Sequence, residues 1–351
     1  MYRILFLSLF LLTVACTSSD VVWYRGNTHV HTEICGHADS HPDAVAKWYL
    51  DNDYNFLILS EHNHFIDPSS VNLPKDRRKD FILVPGMEVT GKKDIHTTAM
   101  NIDKIVPWNF NHDHKHEIIQ NHVDGVRKAN GQAILNHPNW KHAVAFDHIS
   151  KVKNLYMFEL FNGHPHVHSH GDEKVESTEV MWDNLLTAGM LIYGVSSDDA
   201  HQFKTIKKNL SNPGRGWVMV NSSGELNPDA LTHAMMHGNF YASNGVFLKK
   251  YERSYDKYTI EVDVQKTEKE IAKKQVMGKI VKNSETGFKI EFIADGGKVL
   301  HSHKGYSSSL KIPDDIKYLR AKVTLCKNEN GILKEYYAWG QPVFLDDRSI
   351  H

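Results

Sequence analysis

The chain is predicted to be α/β: a barrel of strands alternating with helices, followed by a small all-β sandwich. Three observations carry this. Apolar runs of strand length alternate with amphipathic stretches from residue 21 to residue 245, which indicates a parallel sheet with crossover helices. Polar residues, histidines above all, gather where those runs end, the place where such a barrel collects its chemistry. Beyond Gly245 the pattern changes to short β-like runs divided by turn signals, as in a sandwich of about 100 residues.

Residues 1–20 read as an export signal and a polar tether. Arg3 gives a positive start, and residues 4–14 form an apolar run too short to span a bilayer. The run ends in Thr13-Val14-Ala15-Cys16, which is similar to a bacterial lipoprotein processing site. Thr13 replaces the usual aliphatic residue, so ordinary secretory cleavage stays open as the alternative. The expected location is the periplasm, or the outer membrane as a lipoprotein, with a lipid on Cys16 as the sole membrane contact. Besides Cys16 there are only Cys35 and Cys326, too few for a disulfide framework, and two unpaired thiols are favoured over one bridge.

The first strand, residues 21–28, opens into Asn27-Thr28-His29-Val30-His31-Thr32. Side chains two apart on extended chain point to one side, so His29 and His31 converge while Val30 faces the packed side. Ser40-His41-Pro42 starts a helix with proline at its first position, and Val45, Trp48 and Tyr49 give it an apolar face. Residues 55–59 form a buried strand ending in Ser60-Glu61-His62. Residues 81–84 form the next, before Pro85-Gly86-Met87-Glu88, and residues 94–102 another, carrying His96. A helix over 116–129 is followed by a short strand ending in Asn136-His137-Pro138. Residues 156–160 form a strand through Glu159, and Met181, Leu185 and Ala188 mark a helix. Residues 191–195 lead into Ser196-Ser197-Asp198-Asp199-Ala200-His201. A strand at 217–220 and a helix capped by Asn227-Pro228 complete this part. The predicted division is 1–20 export segment, 21–245 catalytic domain and 246–351 β domain, with the charged run 266–274 as a solvated face.

A formal net charge of −1 gives no global attraction to nucleic acid or anionic membrane, and nucleic acid is not an expected partner. The chain has 24 histidines, more than half of them between His29 and His170. Histidine is the commonest metal ligand, and such crowding favours a metal site. The strand-end set is His29, His31, His37, His62, Glu88, His96, His137, Asp199 and His201. These would suffice for two or three divalent ions if Glu88 bridges, and metals so paired can clamp the attacking and leaving oxygens of a displacement. Mixed imidazole and carboxylate ligands suit zinc, manganese and iron alike.

The segments 27–37, 60–63, 86–88, 136–138 and 197–201 resemble, in order, the motifs of the PHP (polymerase and histidinol phosphatase) superfamily. The resemblance covers roughly residues 22–245 and implies a distorted barrel of seven strands and helices. It also implies up to three metals and phosphoesterase activity. Position by position, it implies one metal on His29, His31, Glu88 and Asp199, a second on His37, His62 and His201, and a third on Glu88, His96 and His137. Glu61 and Asp198 would support these ligands. Residues 237–245, with 318–323 and 338–344, resemble the carbaryl-hydrolase-like branch, which appends a β domain and includes esterases.

The function expected is hydrolysis of a small phosphorylated substrate by water ionised at the metals, with Glu88, Asp199 and His201 catalytic and His201 or water protonating the leaving group. Arg215 is the candidate clamp for a phosphate oxygen, since a guanidinium matches that geometry. Trp140 is the candidate pocket wall. The four alternating histidines of 163–170, and His112, His114 and His116, read as solvated loop or as further ligands. Ester or carbamate hydrolysis on the same metals is one alternative, and a lipid-anchored glycan- or polymer-binding protein another.

Overall fold

The structure is a computed structural model and describes residues 22–345 except 78, 223, 225 and 255. The export segment with Cys16 lies outside the described residues. The chain starts with β1 (Val22–Asn27), α1 (Pro42–Asp51), β2 (Phe56–Leu57), β3 (Ile82–Leu83), β4 (Gly86–Thr90) and β5 (His96–Met100). Next come α2 (Lys115–Lys128), β6 (Gln132–Leu135), α3 (Phe146–Ile149), β7 (Met157–Asn162), α4 (Thr178–Thr187) and β8 (Tyr193–Ser197). β9 (Trp217–Ser222), α5 (Pro228–Met236), β10 (Phe240–Ser243), β11 (Leu248–Arg253), β12 (Lys257–Val262) and α6 (Val264–Ile271) follow. The last strands are β13 (Lys279–Val281), β14 (Gly287–Ala294), β15 (Lys298–Lys304), β16 (Ser307–Lys311), β17 (Tyr318–Glu329) and β18 (Ile332–Phe344).

Helix starts follow the sequence signals. Pro42 opens α1 behind His41, and Asn227 caps α5 by accepting from Ala230 N–H at 2.8 Å, with Pro228 at the first position. α1 buries Val45 and Tyr49; α2 buries Ile118, Ile119, Val123 and Val126, one stripe at helical spacing.

The architecture is mixed α/β; the expected distorted barrel is not shown, because the strands pair into separate sheets and not all of them are parallel. A ten-stranded sheet runs β15-β14-β17-β18-β10-β9-β1-β2-β3, with β13 added on β18. A five-stranded sheet runs β4-β5-β6-β7-β8 and a three-stranded one β11-β12-β16. Only β1-β2-β3 and β6-β7-β8 are parallel; β4, β5 and β6 pair antiparallel, as do β1, β9 and β10. The reason is local. β4 and β5 are joined by a short turn that needs no crossover helix, and Pro85, which has no N–H to give a ladder, separates β3 from β4. Among the described residues two isolated bridges, Val30 with Ala200 and His62 with Glu88, join the larger two sheets, which also meet where β18 reaches β8.

The C-terminal region is not all-β either. Asp263 caps α6 by accepting from Lys266 N–H at 2.9 Å, within the run expected to be solvated. Thr267, Glu270 and Ile271 of that run are buried, and Glu270 meets the buried Arg25 guanidinium at 2.7 Å. Arg25 also lies 4.1 Å over each of the Tyr54 and Trp217 rings. β18 pairs with β10, so the C-terminal strands continue the sheet that holds β1. Gln341 of β18 serves β8 as a strand would: its amide donates to Gly194 O at 2.8 Å and accepts from Gly194 N–H at 2.9 Å. Cys35 and Cys326 are both free thiols.

A charged cluster ties α4 to β17. The buried Arg320 guanidinium makes two 2.7 Å bonds to Asp183, whose carboxylate also accepts from Tyr318 O–H at 2.9 Å. Glu179 receives Lys322 at 2.7 Å and Arg320 at 3.2 Å. Burial pushes the Glu179 carboxyl up, but Lys322 and Arg320 outweigh it and hold it at about 2, below the ordinary 4.5. A carboxylate depressed by folding stabilises the fold above its unfolded value, and that contribution is lost as pH falls through the folded value. Asp183→Ala, which removes two of the three carboxylate bonds of the buried Arg320 guanidinium, should cost about 3 kcal/mol in a urea titration. Acid unfolding curves should show Glu179→Gln losing the part of the pH dependence that lies between 4.5 and about 2.

Candidate metal centre

The site forms where β1, β2, β5, β6 and β8 end or begin, with one residue from inside β4 and support from inside β7. After β1 the chain stays extended. Val30 faces inward, fully buried and bridged to Ala200, and the rings of His29 and His31 turn to the other side, their Nε2 atoms 3.1 Å apart. Glu88, in the middle of β4, is fully buried and reaches the same point. Its two oxygens divide the surrounding imidazoles. Oε1 lies 3.2 Å from His29 Nε2, 3.2 Å from His96 Nδ1 and 3.4 Å from His137 Nε2. Oε2 lies 2.5 Å from His62 Nδ1 and 3.8 Å from His31 Nε2. Asp199 places Oδ1 3.4 Å from both His29 and His31 and 3.7 Å from His201 Nδ1. The rings of His31, His37, His62 and His201 stack at centroid distances of 4.3 to 5.3 Å.

All nine residues singled out from the sequence as ligand candidates are thus brought to one cluster. Several triplets, including His29-His31-Glu88, His29-His137-Asp199 and His31-His62-His201, keep their donor atoms within 4.8 Å of one another. The donors suit a divalent ion: imidazoles and carboxylates, several with a buried atom that has no protein partner. These are His31 Nδ1, His137 Nδ1 and His201 Nε2. Two of the nine sit in the left-handed region, His137 at φ +22° and Asp199 at φ +51°. For residues other than glycine this costs about 1–3 kcal/mol each, and hydrogen bonds hold both in place. His137 N–H donates to Glu159 at 2.7 Å and Asp199 N–H to the His29 carbonyl at 2.9 Å.

Supporting groups surround the cluster. Glu159, fully enclosed in β7, accepts from His29 Nδ1 at 2.8 Å and also receives the Ser197 hydroxyl and the Asn162 amide. Asn136 donates to Glu88 Oε1 at 2.8 Å, and Thr90 lies 2.7 Å from His62 Nδ1. No role had been read for Glu159 or Thr90. The available signal for Glu159 is a charged residue inside the otherwise apolar stretch 157–161. Glu61 accepts from Thr32 N–H at 2.5 Å and stands 4.0 Å from His31 Nδ1; burial pushes its carboxyl up to about 7. Asp198 touches the backbone instead, accepting from Gly214, Arg215 and Gly216 N–H and from Tyr49 O–H.

Electrostatics follow from the packing. Burial alone would lower His29, but Asp199, Glu159 and Glu88 outweigh it and hold the imidazole well above its ordinary value. Burial opposes ionisation of Glu88 and Asp199 too. The histidines around them win, and both carboxyls lie well below the usual range. His31 is held well below its ordinary value by burial and by the neighbouring His201.

A cavity of about 230 Å³ opens over the cluster, walled by His37, His62, His96, His137, Asp199 and His201, with Trp140, His164 and Gln202 completing it. Trp140, the candidate pocket wall, is among its lining residues. Arg215 is not. Its side chain is buried away from this cavity, donating to the carbonyls of Gly163 and Lys207 and to Asn212, so the guanidinium is spent on the fold and is not presented as a phosphate clamp. Of the histidines in 163–170, only His164 lines the cavity; His168 pairs with Asp172 at 3.0 Å, and His170 lies against Phe161 and Tyr337. His112, His114 and His116 are not among its walls.

No family model matches the chain, and no curated protein matches it. Among solved structures, the chain is similar to a two-domain protein from Bacteroides vulgatus containing a predicted PHP-like metal-dependent phosphoesterase. The identity is 13% and the TM-score 0.44, over 90% of this chain and 95% of that one.

If Glu159 fixes the His29 ring for a metal, Glu159→Gln should weaken zinc binding about 10- to 100-fold, the usual effect of losing an orienting carboxylate. Competition against a chromogenic chelator measures it, with circular dichroism checking that the fold is kept.

Proposed function

We propose that this chain is a metal-dependent phosphoesterase of the PHP type. One observation supports the reading above the others: a buried carboxylate, Glu88, shared between two sets of imidazoles, with Asp199 alongside. A carboxylate in that position costs free energy unless cations or donors answer both oxygens. Two oxygens facing different imidazole sets is what a bridging ligand requires. Divalent ions held there supply Lewis acidity, making water easier to ionise and offsetting phosphoryl charge. The chain's own residues do the rest. His29, His31, Asp199 and Glu88 would hold one ion, His96 and His137 with Glu88 another, and His37, His62 and His201 a third. Glu159 orients His29, and Trp140 limits how the substrate lies over the cluster.

A second reading, cleavage of a neutral ester or carbamate at the same centre, is favoured by a specific feature. Among the described residues, no lysine or arginine lines the cavity, so no fixed side-chain cation of that kind would meet a phosphate dianion beside the metals. Export to the cell envelope belongs to the same proposal and rests on the reading of residues 1–20.

Protein purified without added metal, assayed by elemental analysis, should carry zinc, manganese or iron. Given aryl phosphates and aryl esters side by side, it should release phosphate, and chelation or His31→Ala should abolish release. Turnover of the esters alone would favour the second reading, and none with any divalent metal would end both.

A further inference from the structure

A thiol stands at the rim of the metal centre. Cys35 ends a single 3-10 turn, Glu33–Cys35, whose start is capped by the Thr32 hydroxyl. Gly36 follows at φ +82°, a conformation that a side chain would strain, and reverses the chain between Cys35 and His37. As a result the Cys35 sulfur and ring nitrogens of His37 and His201 lie within 4.8 Å of one another. The same sulfur comes equally close to donor atoms of His31 and Glu61.

Both imidazoles are turned to offer Nε2. His37 Nδ1 sits 3.1 Å from the Cys35 carbonyl oxygen, and His201 Nδ1 sits 2.9 Å from that of Asp199. Donation to those carbonyls fixes the tautomer and leaves the Nε2 lone pair for a metal. His201, 6% exposed, has its Nε2 buried with no hydrogen-bond partner. Cys35 is half-buried and free of any disulfide. The ligand pattern carried over from the PHP superfamily contains no sulfur.

We infer that Cys35 is a thiolate ligand of the metal held by His37 and His201, and that this position takes zinc or ferrous iron in preference to manganese or magnesium. Thiolates select softer cations, whereas carboxylate and water sites suit manganese and magnesium. Binding releases the thiol proton to solvent as the metal–sulfur bond forms.

The inference rests on the metal-centre reading, and cobalt(II) separates the two. The purified protein loaded with cobalt(II) should show visible d–d bands together with an intense near-ultraviolet thiolate-to-cobalt charge-transfer band. Cys35→Ser should lose the charge-transfer band and keep the d–d bands, while Cys326→Ser keeps both. Bands of d–d type without charge transfer in the unmodified protein, or charge transfer surviving in C35S, overturn the thiolate ligand and leave the metal centre standing. Failure to bind cobalt at all overturns both. Absence of charge transfer from the unmodified spectrum overturns the ligand even if a variant does not fold.

Discussion

The structure is organised around the cost of burying Glu88. A fully enclosed carboxylate is tolerated only where its charge and lone pairs are answered. Here five imidazoles and the Asn136 amide converge on it from β1, β2, β5 and β6 and the loops that follow them. They arrive from four different parts of the chain, His29 and His31 together, which fixes where the strands end. The isolated His62–Glu88 bridge, which joins the two large sheets, is part of the same convergence. Fold and centre are therefore one problem solved at one point.

Much of that point was readable in the sequence. Alternation along extended chain put His29 and His31 on one side of Val30, and strand-end positions supplied the other seven candidates. Capping residues and prolines located the starts of α1 and α5. These signals are local, acting over two to four residues, and local rules survive folding. Pairing direction was not legible. Apolar runs at β4, β5 and β6 look alike whether they lie parallel or antiparallel, and only the short link between β4 and β5 argued for a hairpin. Long-range pairs were hidden for the same reason. Arg215 has the right chemistry for a phosphate, but the carbonyls of Gly163 and Lys207 and the side chain of Asn212 meet it first. The run 266–274 is highly charged, yet Glu270 is drawn inward by an arginine far away in sequence.

The left-handed backbone at His137 and Asp199 shows how the centre is held in tension with the rest of the chain. Neither residue prefers that conformation, and neither is a glycine. Their N–H groups are gripped by Glu159 and by the His29 carbonyl, so the groups that support the ligands also hold the strained backbone. An acidic residue inside β7 thus restrains a histidine ring and a distorted turn at once.

The pairing of β18 with β10, and the Gln341 amide that completes the edge of β8, bear on how such a chain could be shortened. A fragment ending near Gly245 would leave β10 with an unanswered row of peptide groups and Gly194 with neither of its partners. Exposed edges of that kind recruit strands from other molecules. Any lineage that discarded the C-terminal strands would first have to find another way to cover the edges of β10 and β8.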